Sequence, residues 1–525
     1  MTGVGRLIRL ILRRDRFILP IWVLLFGVLP AAYYSSFEGL FTTDADRIQY
    51  ATVSADNAGF VALYGLLRGD SFASLTAWRA GFVPVMIGLV ALLTVIRHTR
   101  TDEEAGRTEL IGSTVTGRHA PLAAALIVTV TASTVIGLIT FGTLAGRSGS
   151  ATGSLAFGIE FAAGGWIFAA IAAITAQLTS SARAARSIAI VALGVAYALR
   201  VGGDISELGT GSLSWLSWIS PLGWVTRIFP YGPLNWWPVV LSVLLTVVAI
   251  CVAVYLRGQR DLGDGLFPAR LGRATASPGL RTPLALAWRL HRGLLVGWTV
   301  GLALLGLIFG GVGGSVLDIA QDNKGLTDIF NRLGGSTQLI DSYFAGTAGI
   351  VGLIAACYAV QATLRLRDEE TAGHAEAVLA TSVSRFAWAG SHLLFSLLGP
   401  ALALFAEGLV AGLVYTQGDL GDILAGTMLQ LPAVWVLASV AVLLFGVLPR
   451  WSLVAWAAPA ACLLILLVGE TLQLSQWLLD LSPFTHIPHL PGGTVSATPI
   501  VTLVAVALVV GVVGLAGLRR RNIPD

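Results

Sequence analysis

Long apolar stretches recur along the chain, each bounded by charged or turn-forming residues. A helix needs about 20 mostly apolar residues to cross the roughly 30 Å hydrocarbon core of a membrane. Stretches of about that length predict an all-α polytopic membrane protein with twelve transmembrane helices, six in each half of the chain. The predicted spans are about Phe17 to Ser35, Ala77 to Ile96, Ala120 to Gly146, Ser154 to Leu178, Ser187 to Arg200, Trp236 to Leu256, Gly293 to Ser315, Gly346 to Leu364, Gly390 to Tyr415, Ala425 to Leu448, Ser452 to Leu472 and Thr498 to Leu518.

Composition supports the membrane assignment. Only 12% of the 525 residues are charged and 55% are hydrophobic, with a mean hydropathy of +0.79. Soluble proteins carry about 25% charged residues, so these charges are too few to cover several water-facing domains. This excludes a soluble multi-domain enzyme.

The fifth predicted span is short, unless it continues past Arg200 as a broken or re-entrant segment.

The placement of basic residues predicts the orientation of the spans. With a cytoplasmic N-terminus, 25 of the 33 basic residues fall in cytoplasmic segments. Cytoplasmic loops carry such an excess, so we expect both termini in the cytoplasm. Arginine outnumbers lysine 32 to 1, which suggests a GC-rich bacterial genome and therefore the inner (cytoplasmic) membrane of a bacterium. Residues 3–16 alternate Leu/Ile with Arg, a pattern typical of an interfacial amphipathic helix before a retained first span.

The two halves of the sequence contain a repeat. Residues 100–118 align without gaps to residues 367–385, an offset of 267 at which seven of 19 positions are identical. Further anchors are Arg16 with Arg292, and Ser220-Pro221 with Ser482-Pro483. The pattern predicts a tandem 6+6 duplication with both copies the same way up in the membrane. The predicted domains are a first six-span half at 1–256, a cytoplasmic linker at 257–288 and a second half at 289–525.

No catalytic or metal site is predicted from the sequence. There is no GxxxxGK[ST] phosphate loop, and the single lysine, Lys324, falls in a predicted external segment, so we do not expect this chain to hydrolyse ATP. The repeated acidic segment is the exception. A solvated loop whose acids cap the next helix would need one acidic residue, whereas both copies retain Glu-x-x-Gly-x-x-Glu. A docking surface for a partner explains this pattern better.

The acidic segment also resembles a known family. Glu103-x-x-Gly106-Arg-Thr108-Glu109, continuing to Arg118, is similar to the cytoplasmic signature of type-2 ABC exporter permeases, and the copy from Glu370 to Arg385 matches more loosely. The Ser-Pro pairs before spans 6 and 12 also resemble this family. The closest variety is the fused twelve-span permease of high-GC Gram-positive bacteria, described as an exporter of polyketide antibiotics.

This resemblance implies a mechanism. The segment between the second and third spans of each half would be a coupling helix that docks on a cytoplasmic ATPase subunit. One chain would bind two such subunits, which bind ATP and Mg in place of this chain. The substrate would be a small hydrophobic or amphipathic compound within membrane lipid, and no nucleic-acid partner is expected. The implied coupling residues are Asp102, Glu103, Glu104, Gly106, Glu109, Arg118, Asp368, Glu369, Glu370, Gly373, Glu376 and Arg385.

Other transport mechanisms remain open at this stage. A 6+6 parallel repeat also describes proton-coupled secondary drug transporters, and a lipid or glycolipid exporter is a further alternative. Glu160 and Glu407 fall within predicted spans, where carboxylates are costly, and Gln430 stands where the second half corresponds to Glu160. These three residues are candidates either for an intramembrane polar site or for hydrogen bonds between helices. Gly306, Gly310 and Gly314 predict a helix-packing face.

Overall fold

The computed structural model of the chain describes residues 2–521 except 42, 114, 209–210, 268–274, 276–277, 323–335, 417, 469–474, 489 and 494–495. Throughout these described residues, every regular element is an α-helix or a 3₁₀ helix. The residues form two compact units, Met1–Gly272 and Arg273–Asp525, and each unit is described by itself. The prediction of an all-α membrane protein is confirmed.

The first unit is built from long apolar helices joined by short ones. Its helices are α1 Val4–Arg14, α2 Ile18–Leu40, α3 Asp44–Asp56, α4 Ala58–Tyr64, α5 Phe72–Arg79, α6 Val83–His98, α7 Arg100–Glu104, α8 Arg107–Gly112, α9 Ala120–Leu144, α10 Ala151–Leu178, α11 Ala182–Leu208, α12 Trp215–Ile219, α13 Pro221–Thr226 and α14 Trp237–Gly258.

Helix α10 lies at the centre of the first unit and packs against α6, α9 and α14. Its small residues permit close contact on several sides, while Ile167 and Phe168 fill the space towards α6. Helix α1 is amphipathic: Leu7 and Ile11 are buried against α9, and Arg6 and Arg9 are exposed. A helix therefore forms where the interfacial helix is predicted, and it lies against the start of the third span.

Close packing of α9 on α10 depends on Gly137. A Cβ at Gly137 would overlap the carbonyl oxygen of Gly158, whereas a Cβ at Gly142 on the same helix would meet no atom within 4 Å. We expect Gly137→Ala to destabilise the protein by about 1–3 kcal/mol, because the two helices must separate. Gly142→Ala, the matched control, should leave stability unchanged or raise it slightly. Thermal unfolding in detergent compares the two variants, and equal melting temperatures would contradict this packing.

The second unit is likewise built from long apolar helices joined by short ones. They are α15 Pro283–Asp322, α16 Ser336–Thr371, α17 His374–Leu379, α18 Arg385–Val414, α19 Leu420–Met428, α20 Leu431–Val447, α21 Ala457–Val468, α22 Gln476–Leu479 and α23 Ala497–Arg520. Three 3₁₀ helices, at Pro278–Leu280, Pro449–Trp456 and Pro483–His486, join them. Helix α15 packs along α18, α23 packs along α20, and α16 contacts both α18 and α20.

The glycine face predicted on the seventh span packs a neighbouring helix. A Cβ at Gly306 would overlap the carbonyl oxygen of Glu407, and one at Gly310 would overlap that of Ala411. Both contacted carbonyls belong to α18, so the two helix backbones approach closely. What this helix contacts at Gly314 is outside the part of the structure that is described.

Among the described residues, eleven helices are long and apolar enough to cross a membrane. The predicted fifth span does continue past Arg200, since α11 runs from Ala182 to Leu208. The second span begins at Val83 rather than Ala77, because the chain turns after α5, where Gly81 lies against the carbonyl oxygen of Tyr64. Residues 469–472 of the predicted eleventh span lie outside the described residues, so the count of twelve stays a prediction.

Candidate functional site: the repeated acidic segments

The acidic segment of the first unit is a broken helix. Helix α7 ends at Glu104, Gly106 adopts a left-handed backbone with φ of 70°, and α8 begins at Arg107. Only glycine takes this conformation without strain, which explains the glycine between the two glutamates. The break separates α8 from the helix that continues the second span.

Glu103 is the centre of a buried ion cluster. Its two carboxylate oxygens accept hydrogen bonds from the two Nη atoms of Arg260 at 2.6 and 2.7 Å, and Oε1 also accepts from the backbone N–H of Gly263 at 2.8 Å. Arg100 Nη1 lies 3.2 Å and Arg257 Nη1 4.0 Å from Oε2. Only 3% of the Glu103 side chain is exposed. Glu103 therefore ties the acidic segment to the chain that follows the sixth span.

The neighbouring acids also have partners within the unit. Asp102 pairs with Arg14 at 2.6 Å and with Arg107 at 2.5 Å, which joins α7 to the end of α1 and to α8. The hydrogen bond with Asp102 raises the pKa of Arg14, so this guanidinium stays charged. Glu104 Oε2 accepts from the backbone N–H of Ala182, the first residue of α11, at 2.9 Å. All three acids thus hold the segment against other parts of its unit.

Three contacts of the first acidic segment recur in the second unit at the aligned positions. Glu369, which aligns with Asp102, lies 3.1 Å from His374, which aligns with Arg107. Glu370, which aligns with Glu103, pairs with Arg521 at 2.5 Å. Like Arg260, Arg521 follows the last long helix of its unit. Glu369 additionally pairs with Arg365 at 2.9 Å.

The third recurring contact involves the arginine that ends each segment. Arg118 Nη2 donates to the carbonyl oxygen of Arg260 at 2.6 Å, and Arg385 Nη1 donates to the carbonyl oxygen of Arg521 at 2.7 Å. In each unit, therefore, one arginine is bound twice by the acidic segment. Glu103 or Glu370 binds its side chain, and Arg118 or Arg385 binds its backbone carbonyl. The acidic segment and the end of the last helix form one connected element in both units.

The remaining predicted residues point outwards. Glu109 on α8 and Glu376 on α17 are exposed, and Asp368 is exposed at the end of α16. Gly373, with φ of 73°, begins α17 just as Gly106 precedes α8. Each unit therefore presents a short helix, set off by a left-handed glycine and carrying an exposed glutamate. The structure divides the predicted residues into acids that hold the segment and acids that a partner could contact.

The predicted intramembrane residues lie apart from these segments. Glu160 is buried on α10, and the positive charge of the Arg200 guanidinium attracts its carboxylate. Together with Arg68 and Tyr64, Glu160 lines a cavity of about 30 Å³. Glu407 is buried on α18, and its Oε2 has no hydrogen-bond partner among the described residues. Gln430 is buried just before α20 and lines a separate cavity of about 240 Å³.

Most of the sequence matches one known protein family. The family described as "Multidrug efflux system permease Rv1217c, C-terminal domain" matches residues 6–256 and 280–519. The multidrug efflux system permease protein Rv1217c of Mycobacterium tuberculosis is 42% identical over 529 residues, which cover 99% of this chain and 95% of the relative. The chain belongs to this permease family. Both acidic segments, 100–118 and 367–385, fall within the matched residues.

The sequence of this efflux permease did not reveal the arginines that pair with the acids of each segment. Arg257 and Arg260, with Gly263 and Asp264, fell in the predicted linker, yet residues 257–267 pack on the first unit. Asp264 O accepts from Arg100 and Arg260 at 3.0 and 2.6 Å, and Phe267 N donates to Leu178 O. The offset of 261 between Arg260 and Arg521 was the available signal, since each follows the last span of its half.

A second group of buried charges was also missed. On α11, Arg200 Nε lies 3.1 Å from Asp204, and Arg227 Nη2 lies 3.2 Å from Asp204 and 2.7 Å from Glu207. Arg200 Nη1 also donates to Ala62 O at the end of α4, at 2.5 Å. These contacts explain how Arg200 is accommodated within an apolar helix. They also fix α11 to the short helices after the first span.

Proposed function

We propose that this chain is the membrane-spanning permease subunit of an ATP-driven ABC exporter that moves hydrophobic or amphipathic drugs out of the cell. ATP is hydrolysed by separate cytoplasmic subunits, and this chain binds no nucleotide or metal of its own. The named activity of its relative, multidrug efflux, supports drugs as the substrate class. The outward direction of transport is that of the relative's named activity, and the cytoplasmic position of the acidic segments follows from the predicted topology.

The observation that carries the ATP-driven mechanism is the recurrence of one exposed glutamate on one braced short helix in each unit. A motor protein that pushes on a permease needs a rigid element to push against. Glu103 and Glu370 brace the segment against the last helix of each unit, while Glu109 and Glu376 remain exposed. Two such elements in one chain suit two ATPase subunits.

Transport in inside-out membrane vesicles tests this proposal. Vesicles are prepared from a strain that expresses the chain together with its native ATPase subunit, and uptake of a hydrophobic fluorescent dye is followed. ATP should drive uptake in the presence of a protonophore, and vesicles without the chain should show none. Uptake that needs no ATP and collapses with the protonophore would instead identify a proton-coupled secondary transporter.

The stoichiometry has its own measurement. Native mass spectrometry of the purified complex should give one copy of this chain with two ATPase subunits. A complex with two copies of each would contradict the assignment of both docking segments to one chain.

A further inference from the structure

An apolar groove lies between the helices α18, α20 and α23 of the second unit. It has a volume of about 400 Å³, within the range of about 300–1,000 Å³ found for small-molecule sites. Leu398, Leu508 and Val512 on its rim are each more than half exposed, so the groove is open on one side. Its walls include Leu393, Leu397, Trp435, Ser439, Gly511 and Leu515.

The distance between α20 and α23 changes along the groove. A Cβ at Gly446 would overlap the carbonyl oxygen of Gly514, so the two backbones are in contact there. One turn earlier along α23, a Cβ at Gly511 would meet only the Cβ of Ser439, at 3.9 Å. The small residues at this level therefore leave space between the two helices.

The polar side chains in the wall already have partners. Trp435 Nε1 donates to the carbonyl oxygen of Leu397 at 3.1 Å. The hydroxyls of Ser396 and Ser439 donate to backbone carbonyl oxygens at 2.9 and 2.7 Å. Of the described residues that line the groove, none carries a formal charge. A polar ligand would lose its hydrogen bonds to water and gain none here, so the groove suits a hydrocarbon chain.

The length of the groove and the residue at its end indicate which hydrocarbon chain fits. From Val504 to Leu515 it extends for about 16 Å along α23, close to the roughly 15 Å of hydrocarbon in one leaflet. Arg519 follows Leu515 by one turn and continues the same face of the helix. Its side chain is exposed at the predicted cytoplasmic end of the span. That side chain makes no hydrogen bond or ion pair in the part of the chain that the structure describes.

The surroundings of Arg519 are basic. Arg385 Nη1 lies 3.4 Å from the carbonyl oxygen of Arg519, and Arg520 and Arg521 follow in the chain. Glu370 pairs with Arg521 at 2.5 Å. The four guanidinium groups outnumber this carboxylate, so this end of the groove favours an anion. Basic residues beside a span attract anionic lipid in this way.

The first unit differs at both positions. At the offset of 261 that relates Arg260 to Arg521, Gly511 corresponds to Ile250, which packs against the hydrophobic core of its unit. At the same offset, Arg519 corresponds to Gly258, which has no side chain. The combination of Gly511 and Arg519 therefore belongs to the second unit.

We propose that the apolar groove binds an anionic phospholipid of the predicted cytoplasmic leaflet. One acyl chain lies along Leu508, Gly511 and Leu515, and the lipid phosphate contacts the guanidinium of Arg519. Each chain binds one such lipid, in its second unit. Binding needs neither ATP nor cargo, so the site is independent of the proposed function.

Photocrosslinking of lipids to the full chain tests the headgroup. Nanodiscs of phosphatidylcholine contain a small amount of a probe lipid whose acyl chain carries a diazirine. The probe is phosphatidylglycerol in one sample and phosphatidylcholine in the other, and mass spectrometry quantifies the labelled peptides. We expect phosphatidylglycerol to label the groove about 5-fold more than phosphatidylcholine does. Equal labelling by the two probes would overturn the proposal.

Two neighbouring arginines locate the phosphate. Arg519→Gln should lower labelling of the groove by phosphatidylglycerol about 5-fold, to the level of phosphatidylcholine. Arg520→Gln is the matched control, because it removes the same charge about 100° further around the helix, away from the groove. Both side chains are exposed, so both variants should unfold at the temperature of the parent chain. An equal loss of labelling in the two variants would overturn the assignment to Arg519.

A variant that fills the groove tests the position of the acyl chain. Gly511→Ile introduces the residue that the first unit has at this position, and it should abolish labelling of the groove. Gly301→Ile on α15 is the control, because a Cβ there meets no atom within 4 Å and Gly301 does not line the groove. Unchanged labelling in Gly511→Ile would overturn the site.

Competition with an uncharged dye separates a bound lipid from cargo. The hydrophobic fluorescent dye of the transport assay should not displace the phosphatidylglycerol probe when both are present in equal amounts. Displacement by the dye would make the groove a cargo site and would overturn the proposal. None of these measurements needs the ATPase subunit, so failure of the exporter assignment leaves their outcome unchanged.

Discussion

Replacing Glu103 with alanine is expected to destabilise the first unit by about 3–5 kcal/mol, the usual cost of breaking a buried ion pair. The carboxylate accepts hydrogen bonds from both Nη atoms of Arg260 and has Arg100 and Arg257 beside it. Arg100 is fully buried, and Arg260 and Arg257 are 3% and 5% exposed. Without Glu103, three guanidinium groups would stay buried with no opposing charge at their centre. The thermal unfolding midpoint in detergent measures the loss.

The adjacent glutamate provides a matched control. Glu104 is exposed and makes one hydrogen bond, to the backbone N–H of Ala182 at the start of α11. Loss of a capping contact of this kind costs about 1 kcal/mol. Glu104→Ala should therefore unfold only slightly below the parent chain, and Glu103→Ala far below it. Equal midpoints for the two variants would mean that the Glu103 cluster does not form in the folded protein.

The helices of this protein could be predicted from the sequence because the lipid around them strongly limits their length and composition. A helix in lipid must be long and apolar, and this pattern is read directly from residues such as those of α14 and α23. The repeat of residues 100–118 was equally readable, because identical residues at one offset need no structure for their detection. These two signals were enough for the fold class and for the position of the acidic segments.

The partners of the acids could not be predicted in the same way. Glu103 and Arg260 are 157 residues apart, and the sequence placed Glu103 in a predicted docking segment and Arg260 in a predicted linker. From the sequence alone, a charged residue that pairs with another part of the chain cannot be distinguished from one that contacts a partner protein. The same holds for Arg200, whose partner carbonyl at Ala62 is 138 residues away. Long-range pairing of charges is a property of tertiary packing, which periodicity does not encode.

The cavity beside Gln430 shows a further limit. Sequence comparison matched Gln430 with Glu160 and suggested one shared role for two polar residues within spans. The structure surrounds Glu160 with Arg68, Tyr64 and Trp78, and leaves space around Gln430 at Gly346 and Gly349. Volume depends on which side chains meet across helices, so an aligned position does not guarantee an aligned site.

Removing the exposed glutamates together, as Glu109→Ala with Glu376→Ala, should stop ATP-driven transport while the protein stays folded. Neither side chain is buried, so the unfolding midpoint should stay close to that of the parent chain. If each carboxylate forms a charged pair across the interface, its loss weakens binding of the ATPase by roughly 2 kcal/mol or more, about 30-fold. Pull-down of the ATPase subunit and dye uptake in inside-out vesicles measure the two effects.

The control removes the same charge from residues on the predicted external side. Asp56 and Asp70 are exposed residues on the predicted external side, so Asp56→Ala with Asp70→Ala changes the net charge equally. That variant should bind the ATPase and transport dye like the parent chain, because both residues are on the predicted external side and neither belongs to an acidic segment. Normal transport by the Glu109 and Glu376 variant would remove the two glutamates from the docking surface. Coupling would then depend on Asp368 or on the exposed basic side chains of α1, since the other acids of the segments are held in internal contacts.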